Sequence, residues 1–245
     1  NKENIMKIRT KLILITSISV ILVVFLSVST IYTIYKEYIS AEKIEKIVSY
    51  SINIASLSHE VESERKLSSN YVITGFKDTY RLLELQRRQV DLKLNELLTH
   101  LNQLDSKYKN ELIETLNNLK KDLAVKRPLI GIQGIDVINT LSFYSQYNED
   151  ILSYLVIIIK NVNNSIIRNK IIAYRNLLLL KNTIGVESAL GTILLLWDHS
   201  DELKFQFDSL TSTKELYEKN FYLHASYESK NNYNKMKKNK TFSDI

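Results

Sequence analysis

Residues 50–72 read YSINIASLSHEVESERKLSSNYV and predict a long amphipathic helix. With Val61 at zero on a wheel of about 100° per residue, one set of apolar and small side chains falls within about 40° of it. These side chains are Tyr50, Ile54, Leu57, Ser68 and Val72. A stripe of this spacing predicts a helix that buries one face against other helices. Gly75 is the predicted C-cap of this helix.

The stretch that leads into this helix has no charged residue from position 12 to position 35: LILITSISVILVVFLSVSTIYTIY. A helix of that length can cross the hydrocarbon core of a bilayer. Basic residues within the first 11 positions favour a cytoplasmic N-terminus, which places the residues after 35 outside the cytoplasm. A cleaved signal peptide is the alternative, because Ser27-Val28-Ser29 can pass as a cleavage site. The length of the apolar run and its continuation into helix favour an uncleaved anchor.

The composition predicts an all-α protein. The chain has only 5 glycines and 1 proline in 245 residues, and it is rich in helix-compatible residues. The net charge is +6, and the residues after 35 are only mildly basic, so nucleic acid is not an expected partner. The absence of cysteine excludes a disulfide framework and thiol chemistry, and it is compatible with a bacterial periplasm.

The rest of the chain predicts long helices joined by short connections, which pack as antiparallel bundles. The turn and cap signals are Asp78, Asp105-Ser106, Arg127-Pro128 with the two glycines of GIQG (131–134), Asp136, Asn161 to Ser165, and the DHSDE run at 198–202. The predicted domains are a cytoplasmic N-terminus (1–11), a transmembrane helix (12–35), a long-helix ectodomain (36–229) and a lysine-rich tail (230–245). The tail is expected to fray and to lead to a second membrane helix beyond this sequence.

Signatures of enzymes and metal sites are missing. The GIQG segment at 131–134 is too short for a phosphate-binding loop or a dinucleotide fingerprint. The histidines at 59, 100, 199 and 224 lie on different predicted helices without metal-ligand spacing. The sequence therefore predicts no catalytic residue, no metal site and no cofactor, which leaves ligand sensing and protein interaction as function classes.

Arg65 lies at about +40° on the same wheel, inside the apolar stripe. A buried guanidinium without a partner costs several kcal/mol, so a partner is expected. One possible partner is a carboxylate on a facing helix, which would make Arg65 half of a structural ion pair. The other is a small planar oxyanion, which the guanidinium fork can hold with two parallel hydrogen bonds. Ser58, Ser68 and Ser69 lie one or two turns away and can add neutral donors.

Several segments, in order, resemble motifs of the nitrate- and nitrite-sensing (NIT) domain family. They are SERKLSSNYVITG (63–75), LLELQRRQVD (82–91), Leu123 to Arg127, FYSQYNEDIL (143–152), AYRNLLLLKNTIGVESALG (173–191) and NFYLHAS (220–226). The resemblance spans about residues 40–229. It implies an eight-helix ectodomain of two stacked four-helix bundles, placed between two transmembrane helices of a bacterial chemoreceptor, histidine kinase or cyclase.

The resemblance also implies that nitrate or nitrite is held by two arginines, one from the first motif and one from a G-x-E-R-A block. Arg65 matches the first arginine. Ser188 stands where the second is expected, and Asn182 replaces the glutamate that follows Lys181. Loss of one arginine lowers the expected affinity by roughly tenfold to a hundredfold. The candidate ligand-binding residues are Arg65, Ser69, Arg127 and Ser188.

The predicted function is therefore an extracytoplasmic small-anion sensor domain of a transmembrane signal transducer in the bacterial inner membrane. Such a domain is expected to work as a homodimer, with the exposed side of helix 36–60 as the interface. An anchored helical domain that binds a partner protein and no small molecule is the alternative. Arg65 discriminates between them, since a carboxylate partner in a dry core would favour the alternative. A membrane-bound enzyme is a third and less supported possibility.

Overall fold

The structure is a computed structural model that describes residues 2–102, 109–160, 162, 164–196 and 201–238. The expected Asp105-Ser106 turn, His199 and most of the DHSDE run lie outside the described residues. Within these ranges the chain is all-α, as predicted, and forms seven helices, whereas the family resemblance implies eight. They are α1 (Lys2–Thr74), α2 (Lys77–Asn102), α3 (Lys109–Gly131), α4 (Val137–Lys160), α5 (Ser165–Leu196), α6 (Asp201–His224) and α7 (Tyr227–Lys237).

The chain divides into two compact units, Asn1–Ile47 and Val48–Ile245. The first unit belongs to α1, and its apolar side chains are exposed, with Ile21 at 66% and Phe25 at 70%. By length and composition α1 is a candidate membrane span, and so is α5 over Ser165–Leu195. In α5, however, many apolar side chains are buried in the packed cores of the second unit.

The second unit has a main core to which five helices, α1 through α5, contribute buried side chains. The stripe predicted on α1 lies in this core, because Ile54, Leu57 and Val61 are buried. Leucines spaced three or four residues apart on α2 and α3 face the stripe, together with Tyr144 and Ile151 of α4. Most of this core comes from α1 through α4, and Leu178 and Leu179 of α5 complete it.

Two smaller cores lie along α5. One joins the start of α4, the end of α5 and the start of α6 through Val137, Leu190 and Leu203. The other joins α5, α6 and α7 through Leu180, Phe221 and Tyr233. Because leucines on several sides of α5 are buried, this helix lies between the main core and the two smaller ones.

The C-terminal tail differs from the expectation that it frays from residue 230. Ser226 caps α7 by accepting a hydrogen bond from the backbone N–H of Ser229 (3.2 Å). The ring of Tyr233 is buried and lies 5.0 Å from that of Phe221. Lys237 pairs with Glu218 at 2.7 Å, so α7 folds back along α6. The aromatic contact and the cap stabilise a segment whose composition alone predicted no structure.

Most helix ends follow the cap residues of the sequence. Gly75 ends α1 with φ of +64°, and Asp136 caps α4 by accepting from the backbone N–H of Asn139 at 2.8 Å. Asn164 caps α5 in the same way, through the N–H groups of Ile166 and Ile167. The interruption predicted at Arg127-Pro128 and the two glycines of GIQG falls at the glycines, because α3 continues through Pro128 and ends at Gly131. A proline in the last turn removes only one helical hydrogen bond, and the buried Ile130 holds that turn to the core.

Candidate functional site

Arg65 is buried where α1 meets α4 and α5, with only 4% of the residue exposed. Its Nη1 donates to Oδ1 of Asn182 at 2.6 Å and to Oγ of Ser145 at 3.2 Å. Its Nη2 donates to the backbone carbonyl of Asn182 at 3.4 Å, a long and weak contact. The guanidinium is therefore bound by neutral oxygens from two facing helices.

No carboxylate of the described residues lies within ion-pair distance of Arg65. Burial lowers the pKa of Arg65, and the charges of Glu62 and Glu149 partly oppose this shift. Guanidinium groups remain charged in proteins even so. Arg65 is thus a buried cation without a direct anionic partner among the described residues, and the carboxylate pairing that the sequence left open does not occur there.

Asn182 connects Arg65 to a second polar group. Its Oδ1 also accepts from Nδ2 of Asn148 at 3.0 Å, and the same Nδ2 lies 3.2 Å from Oε1 of Glu62. The other oxygen of Glu62 pairs with Lys181 at 2.8 Å. Glu62, the carboxylate that this chain of contacts reaches, is therefore already paired with Lys181.

Gly185 lies directly against the guanidinium, one turn after Asn182 on α5. A Cβ built at position 185 would lie 2.8 Å from Nη2 of Arg65, closer than any ordinary contact. Gly185 itself is solvent-exposed. The absence of a side chain at position 185 therefore lets the buried guanidinium lie directly against the exposed backbone of α5.

Arg127 belongs to a different polar network. Its Nε and Nη2 each donate to Glu64 at 2.8 Å, and its Nη1 pairs with Asp91 at 2.7 Å. Glu64 is fully buried and also accepts from the hydroxyl of Tyr144 at 2.8 Å. Burial alone would lower the pKa of Arg127, but its bonds to Glu64 and Asp91 outweigh this effect and raise it. The guanidinium of Arg127 is therefore paired with carboxylates of α1 and α2.

The two serines among the predicted site residues lie in unlike environments. Ser69 is buried one turn after Arg65, and its hydroxyl has no hydrogen-bond partner. Ser188 is exposed one turn after Gly185, and its carbonyl accepts from Thr192 at 2.9 Å. The described hydrogen bonds do not join Arg65, Ser69, Arg127 and Ser188 into one network.

Asn148, Ser145 and Gly185 around Arg65 were not among the predicted site residues. Asn148 and Ser145 lie three residues apart on α4, a spacing that puts them on one face. A glycine inside a helix often marks a close approach, so Gly185 carried a usable signal. Asn182 was noted only as a departure from the family motif.

Other features offer no competing site. The described residues contain no cluster of three or more His, Asp or Glu side chains that could hold a metal ion. A cavity of about 410 Å³ lies between α5, α6 and α7, away from Arg65. Its walls include Ala173, Leu177 and Phe221. The candidate site is therefore assigned to Arg65 on its chemistry, since the cavity offers no buried charge.

Comparisons with known proteins agree with this fold. The nitrate and nitrite sensing (NIT) family matches residues 56–245, so the chain belongs to this family. The solved structure of the NasR transcription antiterminator is similar, with a TM-score of 0.70 and 17% sequence identity. The match covers 77% of this chain and 52% of that one, so this chain spans about half the length of that protein. At this identity the likeness shows an all-helical fold. No curated protein matched the chain.

Proposed function

We propose that this chain is the extracytoplasmic sensor domain of a bacterial transmembrane signal transducer, such as a chemoreceptor or histidine kinase, and that it binds a small planar anion of the nitrate or nitrite type. Membership of the nitrate- and nitrite-sensing family supports the ligand class. The apolar stretch at 12–35, a candidate span, supports a membrane location. A homodimer through α1 is part of the proposal, since Val48 and Ile52 are apolar and exposed.

The observation that carries the proposal is the buried guanidinium of Arg65, which contacts only neutral oxygens. Each charge-assisted hydrogen bond contributes about 1.5–3 kcal/mol, and the rigid guanidinium fork suits a planar oxyanion. The protein-interaction alternative predicts instead that Arg65 pairs with a carboxylate. No such pair is present among the described residues, and the anion-sensing function is therefore favoured.

Arg65 is the only arginine that we assign to the anion. Arg127 is held by Glu64 and Asp91, and Ser188 has no positive charge to offer. In our proposal Ser145 and Ser69 add neutral donors near Arg65, and Ser188 lies at the exposed rim. An anion held by one guanidinium binds more weakly than one held by two, so we expect a dissociation constant in the upper micromolar to millimolar range.

Signal transmission follows from the helices that carry the site. Arg65 lies on α1, the same helix that contains the apolar stretch 12–35, and its partners lie on α4 and α5. An anion that binds one packing of these helices better than another shifts the population toward that packing. The proposed output is a displacement of α1 relative to its neighbours.

The test is thermal unfolding of the full chain in detergent, followed by circular dichroism, with nitrate, nitrite or chloride at equal ionic strength. A ligand at a hundredfold its dissociation constant stabilises by about 2.7 kcal/mol, which raises the unfolding temperature by a few degrees. We expect this rise with nitrate or nitrite and not with chloride. It should vanish in Arg65→Ala, weaken in Arg65→Lys, and persist in Arg88→Ala, which removes an exposed arginine of α2. A rise that survives Arg65→Ala contradicts the proposal.

A further inference from the structure

The side chain of Asn182 accepts two hydrogen bonds at a single oxygen. Nη1 of Arg65 lies 2.6 Å from this oxygen and Nδ2 of Asn148 lies 3.0 Å from it. One donor is a buried cation and the other is a neutral amide from a different helix. Such convergence of a guanidinium and an amide on one oxygen is what an anion-binding site provides to an oxygen of its ligand.

We infer that Asn182 occupies the position of an oxygen of the bound anion and competes with it for Arg65. This inference rests on the proposed function of the Arg65 site. The carboxamide oxygen is neutral, so it stabilises the buried guanidinium less than an anion would. Asn182 therefore stabilises the guanidinium when no anion is bound, and its competition sets the anion concentration that binding requires.

The geometry around Arg65 allows this exchange. Nη2 is only weakly engaged, at 3.4 Å from the Asn182 carbonyl, and it lies beneath the exposed Gly185. An anion that enters beside Gly185 meets Nη2 first. It gains Nη1 and the Asn148 amide when the Asn182 side chain turns away.

The charged groups around Arg65 also limit the charge of the ligand. Glu62 accepts a hydrogen bond from Asn148, and the charge of Glu149 acts on Arg65 through space. Two carboxylates therefore lie near the guanidinium of Arg65. Lys181 balances Glu62. The remaining positive charge suits a monoanion, and a dianion such as sulfate would be repelled by the uncompensated carboxylate.

The experiment is titration calorimetry of nitrate into the full chain in detergent, with sulfate as the dianion comparison. Asn182→Ala removes the competing oxygen and should bind nitrate on the order of tenfold more tightly, about the value of one hydrogen bond to a charged group. Asn182→Asp replaces the competitor by an isosteric carboxylate that pairs with Arg65, and it should lose nitrate binding. Asn176→Ala is the matched control, because Asn176 is also a buried asparagine of α5 and, among the described residues, its amide donates to the Ile172 carbonyl at 2.8 Å and not to the Arg65 network.

The outcomes separate this inference from the proposed function. If the wild-type chain binds nitrate but Asn182→Ala binds it equally or more weakly, Asn182 is not a competitor and the inference is wrong, whereas the proposed function stands. Nitrate binding by Asn182→Asp at the wild-type affinity also overturns the inference, even if the alanine variant does not fold. If neither the wild-type chain nor Asn182→Ala binds nitrate or nitrite, both proposals fail. Sulfate binding as tight as nitrate binding contradicts the charge limit.

Discussion

Several polar and charged groups stabilise the charge of the buried Arg65. Asn182 and Ser145 supply direct hydrogen bonds, and Glu62 and Glu149 supply negative potential from further away. None of these contacts is a salt bridge. In our proposal the positive charge of Arg65 is therefore available to an anion. Small changes in the surrounding charge should change the affinity for that anion.

Glu149 offers the first test of that sensitivity. Burial and then the charge of Asp150 raise the pKa of Glu149, while Arg65 opposes the shift. As pH falls through this raised pKa, Glu149 loses its charge, the potential at Arg65 becomes more positive, and nitrate should bind more tightly. Glu149→Gln should bind nitrate roughly two- to fivefold more tightly at neutral pH, since a partly exposed charge is screened.

Titration calorimetry with nitrate between mildly acidic and neutral pH measures this effect. The variant should lose most of the pH dependence that the wild-type chain shows. Glu114→Gln on α3 removes an exposed carboxylate and serves as the control. Equal affinities of Glu149→Gln and the wild-type chain across this range would show that Glu149 does not act on the anion.

Gly185 tests whether the position of Nη2 against the surface of α5 matters for anion binding. In Gly185→Ala the new Cβ would lie 2.8 Å from Nη2, so the guanidinium must move. Alanine favours the helix by up to about 1 kcal/mol, which offsets part of the steric cost and keeps the free energy of unfolding within about 1 kcal/mol of the wild type. Nitrate affinity should nevertheless fall at least roughly tenfold, because the new methyl group displaces Nη2, the donor that we propose the anion meets first.

Gly191→Ala is the matched control in the same helix. It gains the same helix propensity, and its Cβ meets the ring of Phe207 at 3.2 Å, not Arg65. Calorimetry and chemical unfolding of both variants separate binding from stability. A Gly185→Ala variant that binds nitrate normally would mean that the anion does not approach along this face.

The burial of Arg65 could be predicted from the sequence, but its partner could not. The helical wheel depends only on local spacing, and it places Arg65 within the buried stripe. Asn182 is 117 positions away, and only the packing of α1 against α5 brings the two together. The same reason applies to Arg127, which was a candidate ligand-binding residue. Only the packing of α3 against α1 brings its guanidinium to Glu64.

At the scale of helices, Glu64 of α1 joins four of them by its contacts with Arg87 of α2, Arg127 of α3 and Tyr144 of α4. Removal of one partner from a buried ion pair leaves the other charge uncompensated, which costs about 3–5 kcal/mol. Glu64→Gln should therefore lower the free energy of urea unfolding by about that amount. Glu96→Gln, which disturbs the surface pair with Lys93, should cost less than about 1 kcal/mol.

A Glu64→Gln variant as stable as Glu96→Gln would mean that Arg127 finds another acceptor, with Asp91 the nearest. Since Arg127 is not part of the Arg65 site, folded Glu64→Gln should still bind nitrate. Loss of binding in a folded variant would instead assign Arg127 to the ligand, as the sequence first suggested.

Helix positions were predictable wherever a local cap fixes them, and less so elsewhere. Gly75 ends α1 because it adopts a positive φ, and Asp136 begins α4 because its side chain accepts a backbone hydrogen bond. Both properties belong to the residue type and can be read from the sequence. Pro128 lies within a helix because tertiary contacts of the last turn outweigh one lost hydrogen bond. The α7 helix depends on Tyr233 packing against α6, a contact that composition cannot reveal.

At the scale of the whole molecule, one chain combines an apolar exposed helix with a helical unit that has its own cores. The all-α class could be predicted from composition and periodicity, because the chain has few helix breakers and long runs with the spacing of an amphipathic helix. The division of the second unit into one main and two smaller cores depends on which faces of α5 are buried. The sequence does not show this, since α5 is apolar on several sides.

The exposed apolar residues of 12–35 predict that the chain is anchored in a membrane. Side chains such as Ile21 and Phe25 are mostly exposed, and a row of this length suits the hydrocarbon core of a bilayer. The full chain expressed in bacteria should therefore sediment with membranes and resist extraction by alkaline carbonate. A Leu22→Lys, Val23→Lys double variant should shift to the soluble fraction, because each lysine at the centre of a span costs about 2.5–3.5 kcal/mol. Leu22→Ala, Val23→Ala is the matched control and should stay in the membrane. If the unaltered chain is recovered in the soluble fraction without detergent, 12–35 is not an anchor and α1 must bury this surface against protein.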